Sequence, residues 1–429
     1  MPRGRNNSED MESEKSKNTL SLKRFKKALS MSAMGKMSKD AFKRSQSIDH
    51  QLQQDLEQRK NELTLLLLGG AYSGKSTFVK QLRIHYGDGF PEDERGPYKH
   101  QVHDNISGAV HKVIDHMRIE NIKFDNDAYM NQAIDFQTRN PVLDFNEMLK
   151  KTYTPDDLQQ PGKGANSLLA MACTELGKRF AYMSVKCGGI SEHDQRLLLT
   201  LWDDSGFQRA FTELVHRKGE SACLRPQEVY FLSNLERMLS EKYVPTHQDI
   251  LYIRRPTLGV IEHLFNVDDL IYRVIDVAGQ KSQRKKWIHV FENVTVVLFF
   301  VALSAFDETL EEDESLNSLE DSLQMFHEVS HNHYLERTDF LLFLNKYDLF
   351  TEKLKHVQFK TFVKTYSGDN SPETCIKYIK DQFEQSRPCH KHVYTHVACA
   401  TDVTMMADVL SKVLNIVAEI NFRKTGGLF

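Results

Sequence analysis

Lys75 and Ser76 close a stretch, residues 69–76, whose residue types suit the cradling of phosphates. Gly69, Gly70 and Gly74 let the chain turn tightly around Ala71, Tyr72 and Ser73 and leave backbone N–H groups free to converge on an anion. Lys75 adds a point charge for the terminal phosphates, and the hydroxyl of Ser76 can ligate Mg²⁺. Much later come Asn345, Lys346, Tyr347 and Asp348. The Asp348 carboxylate can accept from both the N1–H and the exocyclic amine of guanine, where adenine would offer a lone pair. A site built for such donors rejects a ligand lacking them by about 10⁴–10⁵-fold. Between these anchors stand Asp276, Gly279 and Gln280. Asp276 is placed to hold Mg²⁺ through a water, the N–H of Gly279 to meet a γ-phosphate, and Gln280 to orient an attacking water. Upstream, Thr257 offers a second hydroxyl for Mg²⁺, and Arg254 a charge for the transition state; taken alone, Arg254 and Arg255 read as a solvated pair.

These residues need elements to hold them. The apolar run 65–68 suits a fully buried parallel strand, and the residues from Thr77 to Ile84 read as a helix whose N-terminus faces the same anion. Runs at 271–275 and 340–344 are further strands, each delivering its chemistry at its carboxyl end, where open α/β sheets bind ligands. The segment 249–260 has the character of an exposed loop leading into a strand. From about 88 to 247 the pattern is helical, with Ile106, Val110, Val113, Ile114 and Met117 spaced for one packed face. The stretch from Tyr153, rich in Pro, Gly, Asp and Asn, reads as a loop.

With these motifs in order, the chain resembles a heterotrimeric G-protein α subunit from about Ser45 to Phe429. The resemblance also rests on Arg284-Lys285-Lys286-Trp287, Val301-Ala302-Leu303-Ser304, Cys399-Ala400-Thr401 and the ending Gly427-Leu428-Phe429. Asp249-Ile250-Leu251, with Arg254 and Thr257, resembles the first switch of that family. The resemblance implies an α/β fold: a Ras-like, doubly wound P-loop GTPase domain (64–87 and 249–429) with an inserted all-α helical domain (88–248). An N-terminal helix (45–63) and a basic extension (1–44) precede it. It implies GTP or GDP and Mg²⁺ as cofactors, with Ser76 and Thr257 on the metal and Gln280 and Arg254 in catalysis. It places residues 69–77, Asp204, Ser205, Leu251, Arg254, Thr257, Asp276, Gly279, Asn345, Lys346, Asp348, Cys399, Ala400 and Thr401 around the nucleotide. It implies a βγ dimer, a G-protein-coupled receptor engaged through the C-terminus and an effector as partners, on the cytoplasmic face of the plasma membrane.

Departures from the family pattern bear on activity. The family's P-loop reads GAGESGKS, so Ala71 replaces a glycine and Tyr72 a glutamate. A methyl at Ala71 is expected to crowd the catalytic glutamine and slow hydrolysis. Tyr72 removes the carboxylate that in relatives pairs with the switch arginine, and is expected to free Arg254 somewhat. Pro256 stiffens the chain beside Thr257. Gly426 stands where inhibitory-class subunits carry cysteine. Two readings follow: a slow GTPase switch, favoured by Arg254, Thr257, Asp276 and Gln280 together, or a hydrolysis-impaired guanine-nucleotide-binding scaffold. A P-loop kinase is disfavoured by Asn345–Asp348 and by the lack of a second-substrate motif.

The remaining composition narrows the class. A net charge of −3 over 429 residues argues against a nucleic-acid binder. Six scattered cysteines without a C-x-x-C pair indicate no disulfide framework. Cys389, His390, His392, His396 and Cys399 crowd together, but 392–397 reads as a strand whose alternating faces keep those side chains from converging on zinc. The longest apolar run, 294–303, is too short to span a bilayer. Residues 15–44 are basic, with Leu22, Phe25 and Leu29 at helical spacing, a pattern that fits either an anionic membrane surface or a solvated tail. Pro2 and a first cysteine at Cys173 leave no N-terminal acylation site in the chain as written; a start at Met34 would expose Gly35.

Overall fold

The structure is a computed structural model that describes residues 44, 47, 62–140, 190–216, 224–268, 270–310 and 312–425. The basic extension, the helix expected over 45–63, the loop from Tyr153 and the ending from Gly426 lie almost wholly outside these residues. The chain divides into two compact units, Met1–Glu62 and Leu63–Phe429. Of the first, Arg44 and Ser47 are helical and exposed.

The second unit is built on a six-stranded sheet of order β2-β3-β1-β4-β7-β8. The strands are β1 (Glu62–Gly69), β2 (Val260–Val267), β3 (Leu270–Val277), β4 (Val296–Ala302), β7 (Asp339–Asn345) and β8 (Val393–Val397). A small ribbon, β5 (Thr309–Leu310) with β6 (Asp313–Asn317), stands apart from it. The pairs β1–β4, β4–β7 and β7–β8 are parallel, while β2 runs antiparallel to β3 as an edge strand. The central strands are unbroken apolar runs because both of their faces are covered. Leu63, Leu65 and Leu67 point to one core and Leu66 and Leu68 to the other, the period of two that a strand imposes.

Helices cover each face. Those used below are α1 (Lys75–Tyr86), α2 (Tyr98–Ile119), α3 (Ala128–Arg139), α4 (Glu192–Trp202), α5 (Ser205–His216), α6 (Pro226–Ser233), α7 (His247–Tyr252), α8 (Ser318–Ser330), α9 (Tyr347–Leu354), α10 (Pro372–Gln385) and α11 (Val403–Thr425). Helices α1 and α11 share a core with Leu65 and Leu67, and α8 and α10 pack on the opposite face. Phe78 seats α1 on the sheet. Its ring meets Phe300 of β4 and Phe343 of β7 edge-on, each at 5.2 Å, while those two stack on each other at 4.7 Å. Burying one such aromatic contributes about 1.5–3 kcal/mol, and the pairing geometry adds about 0.5–1.5. This fixes the start of α1 against the ends of β4 and β7.

Between α1 and β2 the described elements are all helical and form a separate core, in which Ile106, Val110, Val113, Ile114 and Met117 of α2 are buried as their spacing requires. The fold is therefore a Ras-like α/β domain interrupted by an all-α region. One expectation is corrected. Residues 249–252 are not exposed loop but the end of α7, with Asp249, Ile250 and Leu251 buried, because Asp249 is drawn inward by partners described below. Among the described residues no helix is long and apolar enough to cross a membrane.

Candidate functional site

The phosphate loop links β1 to α1. Gly69 and Gly74 hold positive φ, 136° and 104°, and a Cβ on Gly74 would collide with the Asn345 amide. Lys75 folds back over the loop, its ammonium donating to the carbonyls of Gly69 at 2.9 Å and Gly70 at 2.8 Å. Ser73 Oγ closes the turn onto Gly70 O at 2.9 Å. Burial pushes the Lys75 ammonium down to about 8, against the attraction of Asp276. A phosphate beside it would push that value back up.

Three oxygens meet at the start of α1. Ser76 Oγ donates to Asp276 Oδ2 at 2.7 Å and lies 2.6 Å from Thr257 Oγ1, which itself reaches Asp276 Oδ2 at 3.3 Å. Asp276 Oδ1 is buried without a hydrogen-bond partner among the described residues, and burial raises its carboxyl despite the pull of Lys75. Two hydroxyls and an under-coordinated carboxylate form a hard oxygen set of the kind Mg²⁺ takes. The residues present fit that ion.

The turn after β3 adjoins the phosphate loop. A Cβ on Gly279 would stand 2.5 Å from Gly70 O and 2.6 Å from Lys75 Nζ, so glycine alone permits this approach. Gln280 is buried, and its Oε1 has no hydrogen-bond partner among the described residues. Arg284 fixes the turn from behind, donating to Gly279 O at 3.2 Å and to both oxygens of Asp321 at 2.7 Å, while the Trp287 indole donates to Ala278 O at 2.9 Å.

On the other flank, Asn345 joins two loops. Its Nδ2 donates to Ser73 O at 2.8 Å and its Oδ1 accepts from Ala400 N at 3.0 Å. Lys346 turns the chain at φ 62°, and burial, then the charge of Arg225, pull its ammonium below the ordinary value. Asp348 is exposed in the first turn of α9, close enough to Cys399 to raise that thiol after burial has done so. Cys399 Sγ lies 3.3 Å from Thr401 Oγ1, and Gln81 of α1 donates to Ala400 O at 2.9 Å. The three elements that would frame a base are thus linked to the phosphate loop.

Arg254 enters from the segment after α7. Its backbone is held by Asn105 of α2, which accepts from Arg254 N at 3.2 Å. Its guanidinium lies 3.5 Å from the centroid of the Tyr72 ring. The expectation that Tyr72 frees this arginine is corrected: the lost carboxylate is replaced by a stacking surface. Leu251 is buried in α7, and Thr77 lies in the first turn of α1. Asp204 and Ser205 serve the helical region. Asp204 accepts from the N–H groups of Gly206, Phe207 and Asp125, and Ser205 Oγ donates to Asp125 at 2.6 Å. Their hydrogen bonds cap α5 and staple it to the turn before α3, and Arg225, from the turn before α6, reaches over the Tyr72 ring of the phosphate loop.

Two further residues position the site, Lys80, to which the sequence assigns no role, and Asp249, which enters there only as part of the first-switch resemblance. Lys80 donates to the carbonyls of Ile250 at 2.9 Å and Ile253 at 3.0 Å, fixing the end of α7 immediately before Arg254. Its spacing of four from Ser76 was the available signal, since such residues share a helix face. Asp249 accepts from Tyr230 at 2.6 Å, Tyr243 at 3.0 Å, Arg237 at 2.7 and 2.9 Å and Thr246 N at 2.8 Å. Burial pushes its carboxyl up, but the hydrogen bonds from Arg237, Tyr230 and Thr246 win and hold it well below the carboxylate range. Thr246 is marked locally by the Thr-x-x-Asp capping box, but no local pattern announces Tyr230, Arg237 or Tyr243. Among the described residues no cluster of three His, Cys, Asp or Glu side chains could hold a metal; His396 lies on β8, stacked on Phe343. A family model described as the G-protein alpha subunit matches residues 42–417.

Proposed function

The chain belongs to the G-protein α-subunit family and is a guanine-nucleotide-binding α subunit, and from that premise we propose that it works as a slow GTP-hydrolysing switch. The observation that carries this reading is the meeting of Ser76, Thr257 and Asp276 beside Lys75 and the Gly279–Gln280 turn. In that reading Ser76 and Thr257 ligate Mg²⁺ and Asp276 steadies its shell. The ion, when bound, supplies charge neutralisation at the phosphates. Lys75 and the loop N–H groups hold the phosphate chain, and Asp348, Asn345 and the loop of Cys399, Ala400 and Thr401 hold the base. Gln280 Oε1 accepts a hydrogen bond from the attacking water and so aims it, and Arg254 neutralises charge that grows on the transferred group. Thr257 and Gly279 lie on separate segments, so contacts to a third phosphate would draw both segments in and its loss would release them.

A βγ dimer, a membrane receptor acting through the C-terminus and an effector are the partners this reading implies, at the cytoplasmic face of the plasma membrane. A second reading, a nucleotide-bound scaffold with little turnover, is favoured by the Tyr72–Arg254 stack, which occupies the arginine the chemistry needs. Single-turnover hydrolysis of preloaded GTP with Mg²⁺ separates the two. A switch gives measurable turnover that Gln280→Leu abolishes and Ala71→Gly speeds. Retained GTP with no turnover in any of the three proteins supports the scaffold.

A further inference from the structure

Tyr72 is the one non-glycine residue of the phosphate loop with positive φ, at 59°. A bulky side chain adopts that conformation at a cost, and such strain persists only where the surroundings over-determine it. The residue is 38% exposed, yet two cations lie over its ring. The Arg254 guanidinium lies 3.5 Å from its centroid and the Arg225 guanidinium 5.4 Å. The two arginines come from different parts of the fold. Arg254 follows α7, tied to α1 by Lys80 at Ile253 O and to α2 by Asn105. Arg225 stands at the start of α6 in the helical core, its backbone N–H donating to Glu228 Oε2 at 2.7 Å. Glu228 in turn holds Lys112 of α2 at 2.8 Å, so the turn carrying Arg225 is braced from within its own region.

Two like charges gathered at one ring repel each other, and the π-face offers each an attraction that offsets part of that repulsion. The arrangement makes the ring a junction of three segments: the phosphate loop, the arginine segment and the helical region.

We propose that Tyr72 is a clasp, its ring held by Arg254 and Arg225 so that the helical region is fastened to the phosphate loop and bound GDP is slow to leave. Tyr72 acts as a positioning residue, and the proposal rests on the nucleotide-binding reading given above. A carboxylate at this position would pair through charge-assisted hydrogen bonds that salt weakens, whereas a ring also offers contact area that salt does not screen. Opening the site then means unstacking a guanidinium from the ring, a step worth about three- to tenfold in rate when one partner is removed.

The test is release of a fluorescent N-methylanthraniloyl-GDP from the purified full chain, chased with excess GDP. Five proteins are compared: wild type, Tyr72→Phe, Tyr72→Leu, Arg225→Gln and the double variant Tyr72→Leu/Arg225→Gln, each checked for an unchanged melting temperature. The clasp requires that Tyr72→Leu and Arg225→Gln each speed release about three- to tenfold, and that Tyr72→Phe, which keeps the ring, restores slow release. The double variant should be no more than about twofold faster than Tyr72→Leu, because residues acting as one contact are not additive. Release from Tyr72→Leu at the wild-type rate overturns the clasp, as does a double variant whose effect is the product of the singles. A wild-type chain that binds no labelled GDP overturns the nucleotide reading itself, and the clasp with it.

Discussion

The hydroxyls of Ser76 and Thr257, 181 residues apart in the chain, stand 2.6 Å from each other and share one oxygen of Asp276. Nothing local to either residue demands this. It follows from α1 starting where β1 ends, and from the Thr257 segment lying beside the end of β3. The pair is the physical basis for expecting a hard cation. Ser76→Ala and Thr257→Ala should each weaken Mg²⁺ binding by about 10–100-fold, leaving GDP binding in EDTA largely intact. Titrating Mg²⁺ against the affinity for a non-hydrolysable GTP analogue reads this out; an unchanged Mg²⁺ midpoint in both variants would remove the metal from these residues.

Base selection should reside in Asp348, exposed at the start of α9 beside the Cys399 loop. Asp348→Ala removes two charge-assisted hydrogen bonds and should cost about 3 kcal/mol, on the order of a hundredfold in GDP affinity. ADP, which never made those bonds, should bind no worse. Competition binding with both nucleotides checks it, and an equal loss for ADP would mean that the substitution had damaged the loop instead.

Asp249 ties α7 to the helical core through Tyr230, Tyr243 and Arg237 while fully buried. Asp249→Ala strands the buried hydroxyl of Tyr243, the half-buried hydroxyl of Tyr230 and the partly exposed guanidinium of Arg237, and should lower stability by about 2–4 kcal/mol. Chemical denaturation of the full chain measures this. A loss below about 1 kcal/mol would show that the network can rearrange around the gap.

His103 gives the chain an acid limit. Burial, reinforced by the charge of Lys99, pushes its imidazole down to about 4, and its Nδ1 accepts from Ile190 N at 3.1 Å. The unfolded chain binds the proton near 6.5 and the folded chain does not, so the unfolded state gains protons first as pH falls. The stability this residue contributes is complete above about 6.5 and is lost as pH drops toward 4, by up to about 3 kcal/mol. His103→Asn keeps an acceptor near Nδ1 and removes the titration. Its melting temperature should therefore fall less between pH 7 and pH 5 than that of the wild type, and parallel curves would exclude His103 as the cause.

Much of this was legible in the sequence. The order of apolar strand, glycine-bearing loop and helix marks the phosphate loop, because a strand buried on both faces cannot alternate and a loop that binds anions must turn tightly. Asn345, Asp276, Gly279 and Gln280 were legible for the same reason: Asp276 and Asn345 close buried strands and Gly279 and Gln280 come just after one, and strand ends are where such sheets present ligands. What failed depends on contacts across the fold. The resemblance puts Asp204 and Ser205 around the nucleotide, while the hydrogen bonds that the structure gives them cap α5, a role for which the same residue types serve. Arg225 sits in a turn with no motif, and only the packing of α6 against α2 brings it to Tyr72. The direction of the Tyr72 substitution was misjudged because loss of a carboxylate was weighed without the π-face that replaced it.

The most direct test of the switch is the intrinsic fluorescence of Trp287. Its indole is buried and donates to Ala278 O at 2.9 Å, beside the Gly279–Gln280 turn. Exchange of GDP for a non-hydrolysable GTP analogue with Mg²⁺ should change the emission, and Trp287→Phe should abolish that change although Trp202 remains. Identical spectra in the two nucleotide states, with binding of both verified on filters, would contradict the account and leave a guanine-nucleotide-binding protein that does not switch.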